Sequence, residues 1–259
     1  MSTSGGKVAC SYPVRRYIDQ LAYLGVGERH TIDGFDLTGG PYPHQARLLR
    51  RAGAPDLADA VDALDLEDFE RDQPFGPPTH WISDAETFDL GAQTLHTHRT
   101  PGHTRGHTVF ELPESGLLFT GDHLLPRITP SLGFEHTPED SPETSYLGSL
   151  TQFADRTGLR MLPAHGDASY PADVRARELL DHHDRRLGEI RQLAADGHRD
   201  AASIAAAMTW TRHERHLTEL GTVHATTAIL EVRAHLEHPV RVGSLVRDGD
   251  RPESCQVAE

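Results

Sequence analysis

Apolar positions in the first part of the chain recur at helical spacing. Val14, Tyr17, Ile18, Leu21 and Leu24 make one stripe, stopped by Gly25 and Gly27, and predict a helix over 14–24. A second helical region covers 42–72, where Leu48, Leu49, Leu57, Val61, Leu64 and Leu66 are interrupted by Gly53 and Pro55. Its acidic tail runs into Gln73-Pro74-Phe75-Gly76-Pro77-Pro78, a rigid linker.

From about residue 80 the period changes to that of strands. Phe88–Gly91 and Gln93–Arg99 read as a hairpin, and Thr108–Leu112 with Leu117–Thr120 as a second one around the Pro113–Gly116 turn. Residues 140–156 read as helix, Leu159–Leu162 as a short buried strand, and 171–195 as a long amphipathic helix. Beyond Gly197, the Ala201–Met208 run, the stretch Leu217–Leu236 and an apparent hairpin at Val240–Val246 follow a helix-helix-wing order.

Composition narrows the function classes. A chain of 259 residues holds one large domain and a small one. Its net charge of -14 argues against a general binder of nucleic-acid backbones. Cys10 and Cys255 stand outside any CxxC spacing, so neither a disulfide framework nor a cysteine metal site is supported. No apolar run of membrane-spanning length and no signal-peptide pattern occurs, which makes a cytoplasmic protein the expectation. No GxSxG nucleophile elbow is present.

The chemistry concentrates in three short segments. Thr100-Pro101-Gly102-His103-Thr104-Arg105-Gly106-His107 ends one predicted strand, Gly121-Asp122-His123 the next but one, and Leu162-Pro163-Ala164-His165-Gly166 a third. Zinc and similar ions take neutral imidazole nitrogens and carboxylate oxygens. His103, Asp122 and His165 are therefore the candidate metal ligands, each just past a strand where loops can converge. His107 and His123 are candidates for supporting a ligand or facing substrate. His183, next to His182 on the long helix, is a further candidate for supporting the site or facing substrate. His96 and His98 alternate onto one strand face and read as solvated; His213 and His216 read as surface residues.

The ordered set TPGHTxGH, GDH and PAHG resembles the second half of a metallo-β-lactamase-fold hydrolase. The resemblance implies an α/β (α+β) fold, an αββα sandwich over residues 8–195, with a small C-terminal helical, winged-helix-like module over 196–250. It implies a hydrolase in which metal-activated water attacks an ester, thioester or lactone, with a small-molecule acyl substrate and zinc as the expected metal. The family's first metal motif, HxHxDH, does not occur in residues 1–99. Gly6–Cys10 resembles the short strand that follows it, so the expectation is a domain incomplete at its N-terminus, holding at most one ion. An exposed sheet edge would then invite association, which allows for a homodimer.

Two rival readings follow from the same residues. A non-catalytic or truncated member that binds a small molecule or partner is suggested by the missing motif. A nuclease of the same fold is suggested by the terminal module, where Arg212, Arg215, Arg233, Arg241 and Arg247 are largely cancelled by neighbouring acids. A cap or dimer contact suits that module better. Tyr42, Phe69 and Phe75 are candidate pocket-lining residues, with core packing as the plainer role.

Overall fold

The computed structural model describes residues 23–25, 43–64, 80–82, 85–134, 139–168, 170–241, 245–248 and 251–257. These belong to two compact units. The first takes its residues from 1–36, 67–130 and 144–181; the second from 37–66, 131–143 and 182–259.

The first unit is built on a five-stranded sheet of β3 (Thr87–Asp89), β4 (Thr94–Arg99), β5 (Thr108–Leu112), β6 (Leu117–Gly121) and β7 (Arg160–Pro163), in that spatial order. Strands β3 to β6 are antiparallel neighbours, with Arg99 opposite Thr108 and Phe110 opposite Phe119. Both expected hairpins are there. Strand β7 is parallel to β6, with Leu118 beside Met161. Such a pairing needs a crossover, and helix α3 (Pro142–Ala154) lies within it. Central β5 is buried from Thr108 through Glu111, while β6 alternates between buried and half-buried residues.

A separate pair joins β1 (Tyr23–Gly25) in parallel to β2 (His80–Ile82). The helix expected over 14–24 is thus corrected at its C-terminal end, where Tyr23 and Leu24 are strand. Pairing with a distant segment overrides the helical stripe there. The rest of that helix, Gly6–Cys10, and the linker at 73–78 lie outside the described residues.

In the second unit, α1 (Pro43–Arg51) and α2 (Pro55–Asp62) are the helical region read from the sequence, broken at Gly53 and Pro55. Gly53 has a φ of +89°, which suits a residue without a Cβ. Arg50 ties the two helices through Asp59 and Asp62, each at 2.7 Å. The long helix α4 (Ala172–Ala195) contributes Ile190 and Ala194 to a core that also contains Leu49, Val61, Ile204, Met208, Trp210, Ile229 and Leu236. Helix α5 (Ala201–Ala207) starts on a capping box, in which Asp200 Oδ1 accepts from Ser203 N at 2.8 Å.

After the short β8–β9 pair (Thr209–Trp210, Arg215–His216), the stretch read as one helix divides. A 3₁₀ turn at Leu217–Glu219 precedes α6 (Thr222–Arg241). The hairpin expected at Val240–Val246 lies further along, as β10 (Leu245–Asp248) and β11 (Arg251–Val257). Pro239 falls inside α6 close to its end, and the helix runs past Leu236 into the start of the expected hairpin. Among the described residues, no helix is long and apolar enough to cross a membrane.

Candidate metal centre

Strand direction decides where the three motifs meet. The TPGH loop leaves the C-terminal end of β4 and enters the N-terminal end of β5. Because β6 is antiparallel to β5, its C-terminal residue Gly121 returns to that same edge. Strand β7 is parallel to β6, and Gly121 sits beside Pro163. All three loops therefore emerge on one edge of the first unit's sheet.

There Asp122 presents one carboxylate oxygen to each histidine. Oδ1 lies 3.4 Å from His165 Nε2, and Oδ2 lies 3.9 Å from His103 Nε2. The Asp122 side chain is 8% exposed and that of His103 13%, whereas that of His165 is 58% exposed. Imidazole and carboxylate are donor types that suit a divalent metal of the zinc type, and each histidine here faces a different Asp122 oxygen. A carboxylate is costly to bury unless cations or donors face it, and this arrangement turns both oxygens toward ligand-type nitrogens.

The loops are held by specific contacts. Gly102 has a φ of +139°, and a Cβ there would lie 2.5 Å from Tyr146 Cβ, so the TPGH loop presses directly on α3. Ser149 Oγ donates to Pro101 O at 2.8 Å and Gln152 Nε2 to Arg99 O at 3.1 Å. Within the loop, Thr100 N donates to His107 O at 2.8 Å, and Thr100 Oγ1 shares a 2.7 Å hydrogen bond with His107 Nδ1. Buried His107 thus braces the loop, its ring edge-on to His103 with centroids 6.3 Å apart. Past Asp122, Arg175 clamps the chain by donating to Leu125 O at 2.6 Å and Ile128 O at 3.1 Å.

His123 is fully buried, packed edge-on against Tyr146 and Phe153. Tyr146 Oη donates to its carbonyl at 2.9 Å. Burial drives the imidazole pKa down to about 3, so it stays neutral as part of the packing beneath the loop.

The Metallo-beta-lactamase superfamily profile matches residues 30–165, more than half of the chain. The chain belongs to that superfamily. A lactamase-like protein from Aspergillus niger is 29% identical over 154 residues, covering 60% of this chain and 44% of its own length. An atrochrysone carboxyl ACP thioesterase from Aspergillus fumigatus is 26% identical over 209 residues, covering 77% of this chain and 47% of its own. This superfamily member thus spans less than half the length of these curated relatives. The crystal structure of a metallo-beta-lactamase family protein from Thermus thermophilus superposes with a TM-score of 0.70 at 25% identity, over 92% of this chain and 72% of that one. The mixed α/β architecture is accordingly that of the metallo-β-lactamase fold, whose members bind divalent metals.

Other histidines of this superfamily member fall elsewhere. His98 corrects the reading of a solvated strand face: it is half-buried, with Nε2 2.6 Å from Glu111 Oε2 and its ring edge-on to Phe153. Its strand faces α3, and Arg156 just past that helix reaches both Glu111 oxygens at 2.6 and 2.7 Å. Sequence alternation shows which residues share a face but not what covers it. His213 and His216 are exposed, as expected. Tyr42, Phe69 and Phe75 lie outside the described residues.

His183 is 1% exposed and meets Glu143 and His235 in the second unit. Neither of those two stood out in the sequence. Glu143 opens a helix and His235 sits on the buried face of another, and each carries an ordinary local pattern.

Proposed function

We propose that this chain is a metal-dependent hydrolase acting on a thioester of a small acyl group, with esters and lactones as the neighbouring substrate classes. The observation that carries the reading is the Asp122 carboxylate, one oxygen toward His165 and the other toward His103. The thioesterase among the relatives favours a thioester over the other acyl classes.

His103 and His165 would donate through Nε2, and Asp122, which faces each with a different oxygen, would bridge or bind one ion. We take zinc as the metal. A divalent ion there polarises a carbonyl oxygen and makes water more acidic. His107 and Thr100 fix the loop that carries His103, and the exposed side of His165 leaves room for substrate. Residues 1–99 contain no HxHxDH, so one ion is the expected complement from these ligands. The C-terminal helices and hairpin suit a winged-helix-like cap or a homodimer contact better than a nucleic-acid reader, given the acidic charge of the chain.

The test is thiol release from short acyl-coenzyme A and acyl-glutathione substrates, with zinc, manganese or iron(II) added to metal-stripped protein. The expected result is metal-dependent release that drops by roughly a thousandfold in Asp122→Ala. Metal binding through Asp122 and His165 without turnover of any acyl substrate would replace this reading with a metal-bearing binding protein.

A further inference from the structure

The second unit encloses Glu143 at the start of α3, His183 on α4 and His235 on α6, with exposures of 0%, 1% and 1%. Their ligand atoms form a tight triangle. Glu143 Oε1 is 3.0 Å from His183 Nδ1 and 3.5 Å from His235 Nε2, and the two nitrogens are 3.1 Å apart.

With Glu143 ionised, hydrogen bonds alone leave this triangle one proton short. His235 Nδ1 is 2.8 Å from the Glu231 carbonyl, which can only accept, so Nδ1 carries the hydrogen and a neutral His235 turns a lone pair inward at Nε2. An ionised Glu143 is also an acceptor. His183 Nδ1 has at most one hydrogen for the two of them. The Glu143–His235 contact is then lone pair against lone pair, in a place closed to water. Glu143 Oε2 makes no hydrogen bond among the described residues. Groups this deeply buried are normally satisfied, so something positive is expected between them.

We propose that Glu143, His183 and His235 form a structural zinc-type site, separate from the Asp122 centre and independent of the activity proposed above. Tetrahedral zinc with bonds near 2.0–2.1 Å sets neighbouring ligand atoms about 3.3 Å apart. The observed edges of 3.0, 3.1 and 3.5 Å bracket that spacing, and an ion about 2 Å from all three atoms lies just off their plane. The Glu231 carbonyl on His235 Nδ1 is the outer partner that fixes a ligating imidazole's tautomer. Full burial of all three side chains keeps the site away from substrate, and a small donor such as water would complete the tetrahedron.

The experiment uses the full chain carrying Asp122→Ala and His165→Ala, which removes the other centre. After incubation with zinc and passage over a chelating resin, elemental analysis is expected to find about one zinc per chain. Adding Glu143→Gln, nearly isosteric, is expected to bring this below about a tenth, with far-ultraviolet circular dichroism unchanged. Cobalt(II) should give a tetrahedral visible band in the first protein and none in the second. Should the Gln variant fail to fold, the double-alanine protein still decides the matter, because zinc must raise its Tm and a chelator must reverse the rise. Absence of retained zinc, or retention unaffected by Glu143→Gln, overturns the proposal and leaves a proton shared among the three groups.

Discussion

Gly102 touches Tyr146 so closely that a Cβ on the glycine would sit 2.5 Å from the tyrosine Cβ and 2.7 Å from its Cα. The clash involves backbone, which cannot swing aside, and the φ of +139° is itself unfavourable for any other residue. Gly102→Ala is therefore expected to cost about 2–4 kcal/mol by urea denaturation. Gly91→Ala is the control, since its φ is +89° but nothing lies within 4 Å of the added carbon. It should cost about 1 kcal/mol. Equal losses would mean that the α3 contact does not matter.

His107 should act on metal affinity without touching the ion. Its Nδ1 is joined to Thr100 and its ring abuts His103. His107→Ala is expected to weaken metal binding about 10–100-fold. Titration calorimetry on the folded variant reads this directly, and an unchanged Kd would reduce His107 to ordinary packing.

Removing Arg156 should take the permanent cation away from a buried carboxylate that His98 still contacts. Glu111 is 4% exposed, and Arg156 binds both of its oxygens. The arginine side chain is itself 38% exposed, so water softens the loss, and Arg156→Ala should cost about 2 kcal/mol. Arg156→Ala in a Glu111→Gln background should cost much less, and a double-mutant cycle in urea measures the difference.

The same cluster predicts a pH dependence. Burial holds the His98 pKa below its ordinary value, although the Glu111 contact pulls it back up. On acidification from about pH 6.5 the unfolded chain then takes up the proton first, so this contribution to stability falls as pH falls. Nuclear magnetic resonance should place the His98 midpoint below that of the denatured chain. His98→Gln should flatten the fall in stability as pH drops below about 6.5.

At the start of α5, Asp200→Ala removes the acceptor for Ser203 N and should cost about 1 kcal/mol, with Asp200→Asn recovering most of it. Thermal melts of the three proteins settle the ordering.

Much of this was legible along the chain. The two hairpins, α3, β7 and α4 follow from period and punctuation, because neighbouring residues fix those elements. Gly53 with Pro55, and Gly116 after Pro113, mark breaks that any tertiary context must respect. The TPGH, GDH and PAHG segments identified the family and proposed His103, Asp122 and His165. Period alone failed at Tyr23–Gly25, where a partner strand near residue 80 outweighs the helical stripe. It failed again after Leu236, where α6 continues to Arg241.

What the sequence determined by itself is local: which segments are helix or strand, and which residue types stand at their ends. Tertiary structure alone decided that β5, β6 and β7 run so as to bring Asp122 beside both histidines. It alone covered His98 with Phe153 and Glu111, and gathered Glu143, His183 and His235 into one dry triangle. The physical reason is range. Backbone preferences act over a few residues, whereas burial depends on what distant segments lay over each side chain.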